Sequence, residues 1–121
     1  MNNAVYKVAM IPNADVLLRL CDVFDVTEDE PFHAATDGFD YAIFQVGTNY
    51  YVTADLCSHG PGRLSEGFVT GCEVECPFHQ GRFDLRTGKP TAPPCEMPVK
   101  VWTPIVRDGA IFIAVDSCDR T

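Results

Sequence analysis

The chain has 121 residues, 46% of them apolar and 21% charged, with a formal net charge of −8 and an isoelectric point near 4.6. Such a length and composition fit one globular domain, residues 1–121, large enough to bury a core of its own, and set aside a disordered chain. The acidic surface repels phosphate backbones, so no nucleic-acid partner is expected, and no segment is apolar enough to span a bilayer, so no membrane partner is expected either.

The N-terminal stretch MNNAVYKVAMIPNADVLLRL has no basic segment followed by an apolar one, and Lys7 and Arg19 interrupt its apolar runs. It does not read as an export signal, and the expected compartment is the cytoplasm. In that reducing setting the six cysteines read as free thiols or metal ligands rather than as disulfides.

In chain order, AVYKVAM (4–10) alternates as a first strand does, while DVLLRLCDVF (15–24) suits either a helical turn or a strand. DVTEDE (25–30) is a charged loop or hairpin end. DGFDYAIFQVGTNYYVTADL (37–56) is the clearest hairpin, with YAIFQV and YYVTAD flanking a short turn at Gly47-Thr48-Asn49. GFVTGCEVECP (67–77) predicts a second hairpin around Thr70-Gly71, and GRFDLRTGKP turns at Thr87-Gly88. TAPPCEMP (91–98) is not expected to carry regular ladder bonds, because Pro93, Pro94 and Pro98 lack donors. VKVWTPIVRDGAIFIAVD (99–116) closes the chain as two strands around Asp108-Gly109. Many short strands with regular turn signals predict an all-β antiparallel sandwich or barrel.

Inside that pattern lies CSHGPGRLSEGFVTGCEVECPFHQGRF (57–83), which holds three of the six cysteines and two of the three histidines. One theme appears there in two short copies: Cys57-x-His59, sixteen residues, then Cys76-x-x-His79. Chance would produce both halves in a chain of this composition roughly two times in a hundred, so the pattern is read as a ligand set. Thiolates are soft donors suited to iron–sulfur clusters or zinc, and neutral imidazole suits iron, zinc or copper. Two cysteines with two histidines are the donors of a Rieske [2Fe–2S] centre, and equally permit a structural zinc.

The stretches CSHG, ECPFHQGRFD, RTGKP and APPCEMPVKVW resemble the Rieske-type [2Fe–2S] ferredoxins that serve bacterial aromatic-ring-hydroxylating dioxygenases, specifically over residues 50–104. The resemblance implies a Rieske-type β-sandwich or barrel with a cluster-binding subdomain, residues 55–96, built from two loops plus a proline-rich loop. It implies one [2Fe–2S] cluster, with Cys57 and Cys76 on the buried iron and His59 and His79 on the outer one. It implies an electron carrier rather than a catalyst, receiving single electrons from a flavin-containing NAD(P)H reductase and passing them to a terminal oxygenase. Within it, Gly60, Gly62 and Gly81 let the backbone approach the cluster, Pro61 and Pro77 stiffen the loops, and TAPPCE matches the covering loop.

High-potential members of the wider family add a cysteine to each loop and donate to the cluster from a serine and a tyrosine. The matching positions here are Gly62, Phe78, Gly81 and Phe83, which supply neither a disulfide nor a hydroxyl. A reduction potential near the low end of the Rieske range, about −150 mV, is therefore expected. After the cluster takes two histidines only His33 remains, too few for a mononuclear oxygenase iron, and no G-x-G-x-x-G follows a strand, as a nucleotide-binding reductase would need. The competing readings are a zinc-binding structural or interaction module and a small Rieske-like subunit of a nitrite reductase. His33 reads as a surface or edge histidine. Cys72, on the same strand face as Cys76, reads as a buried thiol, and Cys21, Cys95 and Cys118 read as packing residues. Phe78, Phe83 and Trp102 are expected to pack in the core and around the ligands.

Overall fold

The computed structural model describes residues 5–7, 16–36, 38–57, 62–78, 80–93 and 96–115. Among these residues twelve strands run in chain order: β1 (Val5–Lys7), β2 (Val16–Asp22), β3 (Phe32–Thr36), β4 (Phe39–Val46), β5 (Asn49–Ala54), β6 (Phe68–Thr70), β7 (Glu73–Glu75), β8 (Arg82–Asp84), β9 (Pro90–Ala92), β10 (Val101–Trp102), β11 (Pro104–Arg107) and β12 (Ala110–Val115). They form three four-stranded antiparallel sheets, ordered β1-β2-β12-β11, β10-β5-β4-β3 and β6-β7-β8-β9. The fold is all-β, as expected, and no helix among the described residues is long and apolar enough to cross a membrane.

β4 explains how the sheets stack. Successive side chains of a strand point to opposite faces. Tyr41 and Ile43 therefore enter one core, with Leu18, Leu20, Val52, Ile111 and Ile113, between the first two sheets. Ala42 and Phe44 enter a second core on the opposite face, with Leu64, Val74, Phe83, Leu85 and Val99. Both faces are covered, so residues 41–44 form a continuous buried run rather than an alternating one. In β2 a register shift opposite Ile111/Phe112 turns both Leu20 and Cys21 inward.

The turns follow residue chemistry. β4 and β5 join through Gly47, at φ 62, and Thr48, so that Val46 pairs with Asn49. β11 and β12 join through Asp108 and Gly109, both at positive φ, which matches the right-handed twist of the strands they connect.

Four expectations change. The ambiguous segment 15–24 resolves into β2 followed by a 3₁₀ turn, Val23–Asp25. A strand not expected from sequence, β3, forms at FHAAT, where alanine and histidine carry little strand preference and pairing with β4 supplies the order. The stretch 91–98 does make ladder contacts at its start, since β9 pairs with β8 up to Ala92 and stops where Pro93 removes a donor. The first of the two closing strands divides: β10 pairs with β5, β11 pairs with β12, and the chain changes sheets at Thr103-Pro104.

Candidate metal centre

The third sheet and the loop after β5 carry the two halves of the motif, and both loops are built alike. The Cys57 N–H donates to the Gly62 carbonyl at 2.8 Å, and the Cys76 N–H donates to the Gly81 carbonyl at 2.7 Å. Each loop is thus closed by a bond from the cysteine to a glycine five residues on. The stems differ. The first is closed by the isolated bridge between Leu56 and Arg63, and the second by β7 and β8, paired from Glu73↔Asp84 to Glu75↔Arg82.

The loops bring their cysteines together. Cys57 and Cys76 are both buried, in the core shared with Phe44, Leu64, Val74 and Phe83, and their thiols lie within hydrogen-bonding reach. The Phe78 N–H donates to the Cys76 sulfur at 3.4 Å. Burial pushes the Cys76 thiol up to about 11; the Phe78 N–H works against this shift and the neighbouring Cys57 adds to it. Two thiols held this way suit a soft cation, whose charge stabilises the thiolate form that burial alone opposes.

Gly62 sits against the same sulfur. A Cβ at that position would lie 2.7 Å from Cys76 Sγ and 3.0 Å from Phe78 Cβ. Glycine is needed here for space, because the cysteine of one loop seats in the backbone of the other. Phe83, fully buried, closes the core behind the cysteines, as expected of it.

The other expected residues distribute as follows. His59, His79, Gly60, Pro61, Pro94, Cys95 and Cys118 lie outside the described residues. Among the described residues no three His, Cys, Asp or Glu side chains converge as a metal site. His33 is an edge-strand histidine bonded to Asp40 at 2.7 Å, and Cys21 is a buried packing residue. Cys72 corrects its expectation: it lies in the β6–β7 turn, not on a strand face with Cys76, and is only half-buried, 3.9 Å from the Tyr51 hydroxyl. Phe78 also departs from expectation. Its side chain is 48% exposed, and it serves the site through its backbone N–H. Trp102 is half-buried against the first core and stacks edge-on against Tyr41.

Sequence reasoning missed Asp55, which is fully buried two residues before Cys57 and accepts bonds from Ser65 and Arg63. A signal was present: the two loops read CSHGPGR and CPFHQGR, each ending in Gly-Arg with the arginine six residues after the cysteine.

Comparison with known proteins follows the same line. The chain is 45% identical over 101 residues to the ferredoxin component of the p-cumate 2,3-dioxygenase system of Pseudomonas putida, covering 82% of this chain and 86% of that one. Its fold superposes on the Sphingomonas yanoikuyae B1 ferredoxin with a TM-score of 0.78 at 37% identity, over 81% of this chain and 97% of the other. A chain in the complex of reduced oxygenase and oxidized ferredoxin in carbazole 1,9a-dioxygenase matches with a TM-score of 0.75 at 35% identity, over 81% and 92% of the two chains. These relatives do not favour the zinc-module and nitrite-reductase readings. Residues 16–103 match the model of the Rieske [2Fe–2S] domain, and by that match and its paired cysteine loops the chain belongs to the Rieske family and carries one [2Fe–2S] cluster.

Proposed function

We propose that this chain, as a single domain over residues 1–121 with a cluster-binding subdomain near residues 55–96, holds its cluster through Cys57 and Cys76 on one iron and His59 and His79 on the other. It is an electron-transfer ferredoxin of an aromatic-ring-hydroxylating dioxygenase system, and not itself a catalyst. A flavin-containing NAD(P)H reductase is its donor, the terminal oxygenase is its acceptor, and the cytoplasm is its compartment. The observation that carries the reading is the convergence of two buried thiols from two like-built loops across the notch left by Gly62.

The donor set fits the group. Two thiolates and two imidazoles in C-x-H and C-x-x-H loops supply sulfur to one iron and nitrogen to the other. When bound, the cluster supplies a one-electron couple in which the outer iron changes valence. The chain's own residues set the conditions for that couple. Leu64, Val74, Phe83 and Leu85 are buried to 1% exposure or less and keep water from the sulfur side. The Phe78 N–H supplies positive charge density to Cys76 Sγ. On this reading the imidazole edges of His59 and His79 form the exit point for the electron. Leu56 and Phe78, 52% and 48% exposed and each beside a ligand in the chain, offer apolar surface next to it. That suits a small, transient contact, and the net charge of −8 suits partners with basic docking faces.

Electron paramagnetic resonance of the dithionite-reduced protein tests the site, and reconstituted turnover tests the partners. A rhombic signal with a low average g, altered in His79→Cys, supports the ligand set. Protein purified anaerobically without iron or acid-labile sulfide refutes it. Omitting the ferredoxin from a mixture of reductase, oxygenase and NAD(P)H should halt aromatic hydroxylation, and raised salt should slow transfer. Turnover at full rate without it rules out the carrier role.

A further inference from the structure

Asp55 is an aspartate with no exposed surface, and its carboxylate bonds the far stem of the first ligand loop, with His33 Nε2 3.7 Å from Oδ2. Oδ1 accepts the Ser65 N–H at 2.8 Å, and Oδ2 accepts the Ser65 hydroxyl at 3.0 Å and the Arg63 guanidinium at 3.1 Å. Its backbone carbonyl accepts the Leu64 N–H at 2.7 Å, and its backbone N–H donates to the Asp40 carbonyl on β4 at 3.1 Å. Cys57 and Gly62, the ends of the loop, sit just inside this arrangement. A second layer lies outside it: Arg63 approaches His33 Nε2 at 3.3 Å and Asp40 Oδ1 at 3.7 Å, and His33 bonds Asp40 at 2.7 Å.

The second loop provides an internal comparison. It ends in the same Gly-Arg, and Arg82 also faces an acid at the stem, Glu75, but at 3.5 Å and with both side chains partly exposed. An exposed pair at that distance contributes little, whereas a buried carboxylate satisfied by three donors is rigid and costly to disturb. The second loop does not need more, because the β7–β8 ladder closes its stem. Among the described residues the first is closed by the isolated bridge Leu56↔Arg63 rather than by paired strands.

We propose that Asp55, acting with Arg63 and Ser65, is a positioning clamp that holds the first ligand loop in its cluster-binding form, with His33 and Asp40 as an outer brace. It acts through the backbone, by fixing the chain before Cys57 and after Gly62. The proposal rests on the assignment of Cys57 and His59 as ligands.

The test uses the cluster-loaded protein. Asp55→Asn and Arg63→Met are compared with Arg63→Lys, with Arg82→Met as the matching change at the second loop, and with Val26→Ala, which thins the distant first core. The readouts are the rate of cluster bleaching under anaerobic EDTA, the g values of the reduced protein, and the thermal midpoint. The clamp predicts bleaching roughly 10- to 100-fold faster in Asp55→Asn and Arg63→Met, with shifted or broadened g values, and partial recovery in Arg63→Lys. Arg82→Met and Val26→Ala should keep the wild-type spectrum, Val26→Ala doing so despite a lower midpoint. If Asp55→Asn does not fold, the comparison of Arg63→Met with Arg63→Lys decides, since Arg63 is partly exposed. Bleaching and g values in Arg63→Met indistinguishable from those of Arg82→Met overturn the clamp while leaving the ligand assignment intact. A Cys57→Ser variant that retains the native spectrum overturns the ligand assignment, and the clamp with it.

Discussion

Replacing Gly62 by alanine is a one-atom probe of how the two loops fit. The added Cβ would lie 2.7 Å from Cys76 Sγ, while ordinary van der Waals contact begins at 3.4 Å, so the two must part by about 0.7 Å. A sideways escape is blocked by Phe78 Cβ at 3.0 Å. Cys76 cannot retreat freely either, since it is fully buried and its N–H is tied to the Gly81 carbonyl at 2.7 Å. A site of this kind tolerates displacements of about 0.5 Å, and overpacking of this sort costs roughly 1–3 kcal/mol. Gly71→Ala is the control. It meets open space, but its φ of 59 imposes a backbone cost of about 1–2 kcal/mol on any side chain. The two variants should therefore lose comparable stability, read by urea denaturation. Only Gly62→Ala should lose iron and acid-labile sulfide per chain and show an altered reduced-state resonance spectrum. A Gly62→Ala protein with full iron content and the wild-type spectrum would refute the claim that this glycine exists to seat the opposing sulfur.

Protein-film voltammetry should place the midpoint near −150 mV, and a value well above zero would contradict the reading of Gly81 and Phe83 as positions without hydroxyl donors. Phe83→Tyr, which adds a donor in the core that holds both cysteines, should move the midpoint upward. On the acid side, the Arg86 guanidinium holds the Asp84 carboxyl below its ordinary value of 3.8. A carboxyl depressed in the folded state contributes stability above the unfolded value and loses it as pH falls through the folded one. The urea midpoint should therefore drop below about pH 4, less steeply in Asp84→Asn. On the alkaline side, burial pushes the Cys21 thiol up to about 12 from 9.0. A raised value gives stability that is complete below the unfolded value and lost as pH climbs from about 9 toward 12, by at most about 1.4 kcal/mol per pH unit. The difference between wild type and Cys21→Ala should show that slope, and parallel curves would count against it.

The sequence carried what depends on residue type and near neighbours. YAIFQV with its glycine turn announced β4, and Asp108-Gly109 announced the last hairpin, because turn chemistry is local. The cysteines were legible because few side chains bind metal and their spacing is rarely accidental. What escaped depends on contacts between distant segments. FHAAT becomes a strand only because β4 lies beside it. The split at Thr103-Pro104 reflects which sheet each half meets, which propensity does not encode. The exposure of Phe78 follows from the loop's path, with its backbone N–H turned to sulfur and its ring turned outward. Asp55 and Arg63, eight residues apart with no periodic signal, look like ordinary surface charges until the fold buries one of them.

The placement of the site on this scaffold bears on what a one-electron carrier requires. Transfer is favoured when the ligands scarcely move between redox states, so the loops that bear them need a rigid foundation while their tips stay open to a partner. β4 supplies the foundation. Its odd-numbered residues anchor in the first core and its even-numbered residues, Ala42 and Phe44, pack in the core that contains Cys57 and Cys76. Any tilt of that strand would have to disrupt both cores at once. Asp55 extends the same strand's hold to the first loop through its backbone bond to Asp40, and the β7–β8 ladder holds the second. Two loops of the same construction are thus fixed by different devices: a buried carboxylate where the chain has no ladder, and a ladder where it has no buried carboxylate. The first loop follows β5, an interior strand paired with β10 and β4, and its return stretch joins no strand among the described residues, whereas the second is the tip of the β7–β8 hairpin. Rigidity at the sulfur ends is reached by both routes, and Leu56 and Phe78, exposed apolar residues each adjacent in sequence to a proposed ligand, offer surface to a partner.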